Sequence, residues 1–211
     1  MPAKKKRKPS KQPARRGDRD PLGLRIVGGR FRGRKLHYSG QYRVRPMKER
    51  VREAIFNLIG PSIRGTHAVD LFAGTGALGL EAISRGAIGA TLVEQHYPTA
   101  AVIRRNVELL GVQSQVELVT ADVFLWCRSA GPTAAAPWAI FCSPPYDFFV
   151  DRTDAMLELI GGLLRVAPPG SVAAVESDAR FDFGRLPDAE TWDVRRYAPA
   201  FVGLYRVQPE E

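Results

Sequence analysis

Val69-Asp70-Leu71-Phe72-Ala73-Gly74-Thr75-Gly76-Ala77-Leu78-Gly79 decides the fold of this 211-residue chain. An apolar run from His67 to Leu71 leads into a glycine-rich segment, after which residues 77–85 carry apolar side chains at helical spacing. Strand, tight loop and helix make the opening unit of a parallel α/β sheet. Gly74, Gly76 and Gly79 fit G-x-G-x-x-G, in which glycines let the backbone turn sharply and approach a ligand. Glu94 closes the next apolar run, about 20 residues on, where a carboxylate can accept from ribose hydroxyls. The pattern competes with a purely structural glycine turn and with a dinucleotide site. Asp70 decides between the ligands. A pyrophosphate needs helix N–H donors and no adjacent anion, whereas a carboxylate four residues ahead of the first glycine suits a cation. S-adenosylmethionine (SAM) has an ammonium, a sulfonium and no phosphate, so the segment reads as a SAM site rather than an NAD site.

Downstream, short apolar runs alternate with helical periodicity. Strands are predicted over residues 90–94, 115–119, 138–142 and 171–176, with helices over 98–110, after Asp122, and over 153–165. Two closing segments, 192–197 and 200–207, are separated by Ala-Pro and read as an antiparallel pair. Continuous apolar strands in repeated βα units imply an α/β, Rossmann-like fold: a mostly parallel sheet with helices on both faces. Asp122 stands where an adenine amine could donate to it, with the Val123 backbone beside it; a helix N-cap is the competing role, and the two are compatible.

Ser143-Pro144-Pro145-Tyr146 follows the predicted strand 138–142, at the same sheet edge as the glycine loop. Proline has no N–H, so the carbonyls here project free of a strand ladder. An exocyclic amine on a base is a poor nucleophile, because its lone pair is delocalised into the ring. A side-chain oxygen and a proline carbonyl accepting its two N–H bonds favour a pyramidal nitrogen aimed at a methyl donor. Tyr146 offers a ring face to an extruded base. Catalysis is then mainly positioning, with no metal and no covalent intermediate. A plain loop breaker is the competing reading.

The charge is lopsided. Residues 1–53 hold 19 of the 31 Lys and Arg against 4 of the 22 acids, a net of +15, while the remaining 158 residues net −6. A concentrated basic end attracts a polyanion. Residues 1–21 are almost devoid of apolar side chains and read as a disordered basic tail. Residues 22–60 read as a basic hairpin and helix, and residues 61–211 as the SAM-binding domain. Residues 24–29 and 34–38 are the predicted hairpin strands, and residues 48–59 a helix with Arg50 and Arg52 off its apolar stripe. Arg30, Arg32, Arg34, Lys35, Arg45 and Arg50 are the candidate nucleic-acid contacts, with Arg52 beside Arg50 on the phosphate-facing side.

No apolar run approaches the roughly 20 residues of a membrane span. Two cysteines, Cys127 and Cys142, support neither a disulfide framework nor a four-cysteine metal site, so a reducing cytoplasm is expected. A monomer without a metal is the expectation.

Residues 70–82, DLFAGTGALGLEA, with Ser-Pro-Pro-Tyr downstream, resemble the amino-methyltransferases whose signature is Asp/Asn/Ser-Pro-Pro-Tyr. LRIVGGRFRGRKL (residues 24–36), Arg45-Pro46, RVREAIFN (residues 50–57) and the closing Arg196-Tyr197 to Leu204-Tyr205-Arg206 are similar, more narrowly, to the bacterial 16S ribosomal RNA guanine-N2 methyltransferases of the RsmD type. That resemblance spans residues 24–207. It implies a seven-stranded SAM-dependent methyltransferase fold and transfer of a methyl group to guanine N2 in small-subunit ribosomal RNA, free or in an assembling particle. It also implies that Asp70, Phe72, Gly74, Gly76, Glu94, Asp122 and Val123 hold SAM, and that Ser143, Pro144, Pro145 and Tyr146 hold the amine. The chain departs from the pattern at Ser143, where the family usually has Asp, and at Met47, Lys48 and Glu49, near Thr and Asp in the family. An adenine-N6 methyltransferase and a catalytically idle RNA-binding or assembly factor are the alternatives.

Overall fold

Seven strands build one sheet: β1 (His67–Asp70), β2 (Gly89–Val93), β3 (Val116–Val119), β4 (Trp138–Cys142), β5 (Val172–Ser177), β6 (Asp193–Tyr197) and β7 (Ala200–Arg206). Their order is β3-β2-β1-β4-β5-β7-β6. β1 to β5 are parallel, and β7 runs antiparallel to both β5 and β6. The structure, a computed structural model, describes residues 23–38 and 47–208. The basic tail and Arg45 lie outside the described residues.

Every residue of β2, β4 and β5 is buried, as a sheet covered on both faces requires. Alternate residues sort into two cores. Ala68, Leu92, Phe141 and Ala174 join the cluster formed with α1 (Glu49–Ile59), α2 (Ala77–Arg85) and α3 (Tyr97–Leu110). Val69, Ile140 and Val175 join Met156, Leu159, Ile160 and Leu163 of α6 (Thr153–Val166). Two short helices, α4 (Val123–Ser129) and α5 (Phe148–Asp151), follow β3 and β4. This is the α/β Rossmann-like architecture predicted from the sequence, with the antiparallel closing pair. Strand order reverses between β1 and β4, and such a switch opens a crevice at the carboxyl ends of the strands. Asp70 ends β1 and pairs in register with Phe141 of β4, two residues ahead of Ser143.

The N-terminal segment differs from the predicted hairpin. It has one antiparallel bridge, Arg25↔Lys35, and its connection is a 3-10 turn, Gly29–Phe31. Three backbone bonds hold the arms: Ile26 N to Arg34 O at 2.9 Å, Gly33 N to Ile26 O at 2.8 Å and Leu36 N to Leu24 O at 2.8 Å. An isolated two-stranded ribbon is marginal in water. Here Leu24, Ile26 and Leu36 are buried in the same core as α1 and α2, so packing holds the segment rather than a longer ladder.

Its anchor is Glu81 on α2, a fully buried carboxylate. Glu81 accepts from Val27 N and Gly28 N, each at 2.7 Å, and from Arg85 Nε at 2.7 Å, with Arg52 Nε 3.7 Å away. Arg52 therefore does not face phosphate, contrary to the sequence reading. It is fully buried, and its Nη2 donates to Arg25 O at 2.5 Å. The N-terminal segment folds over this part of α1 and brings Arg52 against an acid 29 residues away. Removing one member of a buried ion pair leaves the other charge uncompensated, at about 3–5 kcal/mol. Glu81→Leu is expected to lower unfolding stability by that order in urea titrations.

Candidate active site

Asp70, Glu94, Asp122 and Glu176 sit at the carboxyl edge of the parallel strands. Asp70, at the end of β1, is buried, and its Oδ2 accepts from Gly79 N at 3.2 Å while Oδ1 has no hydrogen-bond partner among the described residues. Burial pushes Asp70 up to about 7, aided by the nearby Glu94 charge and opposed by the bonds from the Gly79 and Phe72 backbone. Glu94, just past β2, accepts from Gly74 N at 2.9 Å and from His96 N at 2.8 Å. Asp122, past β3, caps α4: Oδ1 accepts from Phe124 N at 2.8 Å and Leu125 N at 3.2 Å, with buried Val123 beginning the helix. The fourth is Glu176 on β5, described below.

The loop glycines divide the work. Gly74 and Gly76 take the left-handed conformation, with φ of 53° and 76°. Gly79 is a packing glycine, because a Cβ there would collide with Leu92 Cδ2 of β2. This loop is a poor phosphate cradle: the Gly74 N–H already donates to Glu94, and a phosphate would meet two carboxylates. It suits a cationic amino-acid ligand. A desolvated carboxylate oxygen without a partner is where an ammonium would donate, and Thr120 Oγ1, beyond β3, is a second buried polar atom without a partner. These residues fit SAM as the ligand.

Phe72, in the loop after β1, belongs to a group of three rings with Phe124 of α4 and Phe148 of α5. It meets Phe124 edge-on at 6.3 Å and Phe148 at 5.9 Å, and the Arg152 guanidinium lies 5.2 Å from the Phe124 ring centre and 5.1 Å from that of Phe148. The sequence reading passed over Phe124, Phe148 and Arg152, which have no common spacing.

On the acceptor side, Pro144 is buried, Pro145 is exposed, and Ser143 and Tyr146 are half-buried. Ser143 Oγ donates to Glu176 Oε2, and Tyr146 Oη donates to Glu176 Oε1 at 2.7 Å. Burial raises the Glu176 carboxyl above its ordinary value, against the pull of the two hydroxyls. Sequence reasoning missed Glu176, although its signal matches that of Glu94: an acid near the end of a buried apolar strand. A further tie joins the same two loops, since Arg180 pairs with Asp147 at 2.9 Å and Asp178 at 2.9 Å.

The described candidate RNA contacts fall into two places. Arg30 donates to Gln115 Oε1 at 2.5 Å and Arg34 to Leu109 O at 2.9 Å. Gln115 immediately precedes β3 and Leu109 lies in the last turn of α3, which places that turn at the amino edge, opposite the site. Arg32 and Lys35 are exposed on the same segment. Arg50 stands at the carboxyl edge. Its Nη2 reaches Ala198 O at 3.5 Å, in the β6–β7 turn beside the end of β5. Arg50, Asn57, Arg196 and Tyr197 line a groove of about 610 Å³ there, whose Arg196 and Tyr197 the sequence reading did not select as contacts.

A family model described as "Conserved hypothetical protein 95" matches residues 24–205. The chain belongs to this family. It is 32% identical over 189 residues to Ribosomal RNA small subunit methyltransferase D of Escherichia coli (strain K12), covering 89% of this chain and 90% of that one. The solved Escherichia coli protein yhhF has a TM-score of 0.72 at 29% identity, over 89% of this chain and 99% of that chain. An RNA methyltransferase from Salinibacter ruber, solved with S-adenosyl-L-homocysteine, has a TM-score of 0.58 at 18% identity, over 79% and 96%, a likeness of fold alone. The family expected from the sequence is borne out, and its match takes in the N-terminal segment as well as the sheet.

Asp70 gives the site a pH signature. Its folded value lies near 7, above the ordinary 3.8, so the folded protein holds this proton more tightly than the unfolded chain. The stability contributed by protonated Asp70 is present at low pH and is lost as pH rises through about 7. A cationic ligand needs the ionised form. SAM is therefore expected to bind more tightly as pH rises from 6 to about 7.5. Asp70→Asn should remove the stability decline of the free protein and nearly all SAM affinity, as read from melting curves and calorimetry across that range.

Proposed function

We propose that this chain transfers the methyl group of SAM to an exocyclic base amine of small-subunit ribosomal RNA, and that the amine is N2 of a guanine. One observation carries the reading: the desolvated Asp70 carboxylate and the Ser143–Tyr146 tetrapeptide share the crevice between β1 and β4. Asp70, Glu94, Thr120 and Asp122 would hold SAM, which supplies an electrophilic methyl when bound. Ser143 Oγ and the Pro144 carbonyl accept the two N–H bonds of the amine, and Tyr146 receives the base on its ring face. Nothing in this set forms a covalent bond to substrate; the rate comes from alignment of the nitrogen with the methyl and from exclusion of water. Guanine is favoured over adenine by the resemblance carried in residues 24–36 and 50–57.

RNA is expected to cross the carboxyl edge along the groove of Arg50, Arg196 and Tyr197, rather than the Arg30–Arg34 turn. Mass spectrometry of nucleosides from small-subunit RNA or particles, after incubation with the protein and SAM, tests the reaction. N2-methylguanosine is the expected product, and methyladenosine or no product would reject the guanine reading. Tyr146→Ala should bind SAM as the parent does and lose roughly 10–100-fold in turnover, in line with about 1–3 kcal/mol per stacked base. Arg50→Glu with Arg196→Glu should weaken RNA binding and flatten its salt dependence by about two counterions. Arg30→Glu with Arg34→Glu should do so far less, as filter binding across a salt series would show.

A further inference from the structure

Ser143 and Tyr146 both give their hydroxyl protons to one buried carboxylate on the neighbouring strand. We propose that Glu176 is a positioning residue for methyl transfer: it fixes Ser143 as an acceptor toward the target amine and holds Tyr146 in the orientation that receives the base. The inference rests on the reading of Ser143–Tyr146 as the amine-holding motif.

A serine hydroxyl has one proton and two lone pairs. Left to rotate, it can donate to the very lone pair that must attack the methyl. Bonded to an ionised carboxylate, it presents only lone pairs to the amine. Ser143 carries no charge of its own, and Glu176 brings a carboxylate to the tetrapeptide from β5. An ionised carboxylate is acceptor-only, so both oxygens can take O–H donors at once; a protonated one cannot. The Arg180 ties to Asp147 and Asp178 hold the same two loops together.

The transfer balances around this pair. The C–S bond breaks with its electrons left on sulfur as a neutral thioether, and the nitrogen lone pair makes the N–C bond. The cationic nitrogen then gives one proton to Ser143 Oγ as the hydroxyl proton passes to Glu176 Oε2. A neutral secondary amine and a carboxylic acid result, and the acid returns its proton to solvent. The titratable and charged groups on the described segments packed against Glu176 are Tyr146, the buried Cys142 thiol, the mutually paired Asp147, Arg180 and Asp178, and Asp193, Arg195, Arg196, Tyr197, Tyr205 and Arg206 of the β6–β7 pair, which lies against β5. Burial sets the direction of the Glu176 shift, upward, so turnover should have an acid limb above the ordinary carboxylate range.

The test measures kcat and KM for RNA from pH 5 to 9 at saturating SAM, for Glu176→Gln, Ser143→Ala and the double variant. Methyl incorporation is counted on any base, so the comparison holds even where the product is methyladenosine and the guanine reading fails. With SAM affinity and melting temperature close to the parent, Glu176→Gln should lower kcat roughly 10²-fold, leave KM nearly unchanged and abolish the acid limb. Ser143→Ala should lower kcat through the same pair, and the double variant should be no slower than Glu176→Gln alone, as for two groups acting as one unit. An unchanged kcat, a persistent acid limb, or losses that multiply in the double variant would overturn the proposal. Should Glu176→Gln fail to fold, the combined Ser143→Ala and Tyr146→Phe variant, which leaves Glu176 neither hydroxyl to hold, decides: an absent acid limb supports, a retained one overturns. A parent protein that methylates no base overturns this proposal and the function together.

Discussion

A carboxylate removed from water without a cation is the constraint around which this molecule is arranged. Asp70 sits at the end of a strand buried on both faces, one oxygen bonded to the backbone of Gly79 and the other without a hydrogen-bond partner among the described residues. That state is unfavourable for an anion, and the protein tolerates it because the flanking sheet and α2 fix the geometry independently. The glycine loop, the left-handed turns at Gly74 and Gly76, and the close approach of Gly79 to Leu92 all serve to bring a helix over that strand end. A cation arriving there relieves a cost that folding has already imposed, so a positively charged ligand gains an advantage that a neutral or phosphorylated one does not.

The other acids of the chain show how environment assigns roles. Glu81 is also fully buried, yet two backbone N–H groups, Arg85 and Arg52 surround it, and it anchors the N-terminal segment. Glu94 is half-buried and braces the glycine loop. Glu176 lies between these cases: it is buried and meets no cation among the described residues, but it is bonded to two hydroxyls. Buried carboxylates with complete ion pairs build the fold, and those without a cation line the crevice.

The basic N-terminal region has a different logic from the one its charge suggests. Arg52 and Arg85 compensate Glu81, Arg25 pairs with Glu49, and Arg30 and Arg34 tie the turn to the ends of β3 and α3. Several of the residues that make the segment look like a polyanion surface are thus engaged within the protein. Arg50 and Arg196, which share the groove beside the β6–β7 turn with Glu53, come from segments about 145 residues apart in sequence.

The sequence by itself determined the sheet, the alternation of helices and the two motifs at its edge, because buried parallel strands are continuous apolar runs and tight loops demand glycine and proline. Element ends agree to within a residue or two: the helix predicted over 77–85 and the strand over 138–142 match the structure, while the strand predicted over 171–176 runs from Val172 to Ser177. Asp70, Glu94 and Asp122 were legible because each acid interrupts or ends such a run. Only the tertiary structure decided which charges meet. Glu176 reaches Ser143 and Tyr146 across two strands, Arg52 reaches Glu81 across two helices, and Arg196 joins Arg50 where the last hairpin folds back beside α1. Periodicity reports which face of an element is buried, but it carries no information about which distant side chain lies opposite, and the electrostatics of this site rest on that pairing.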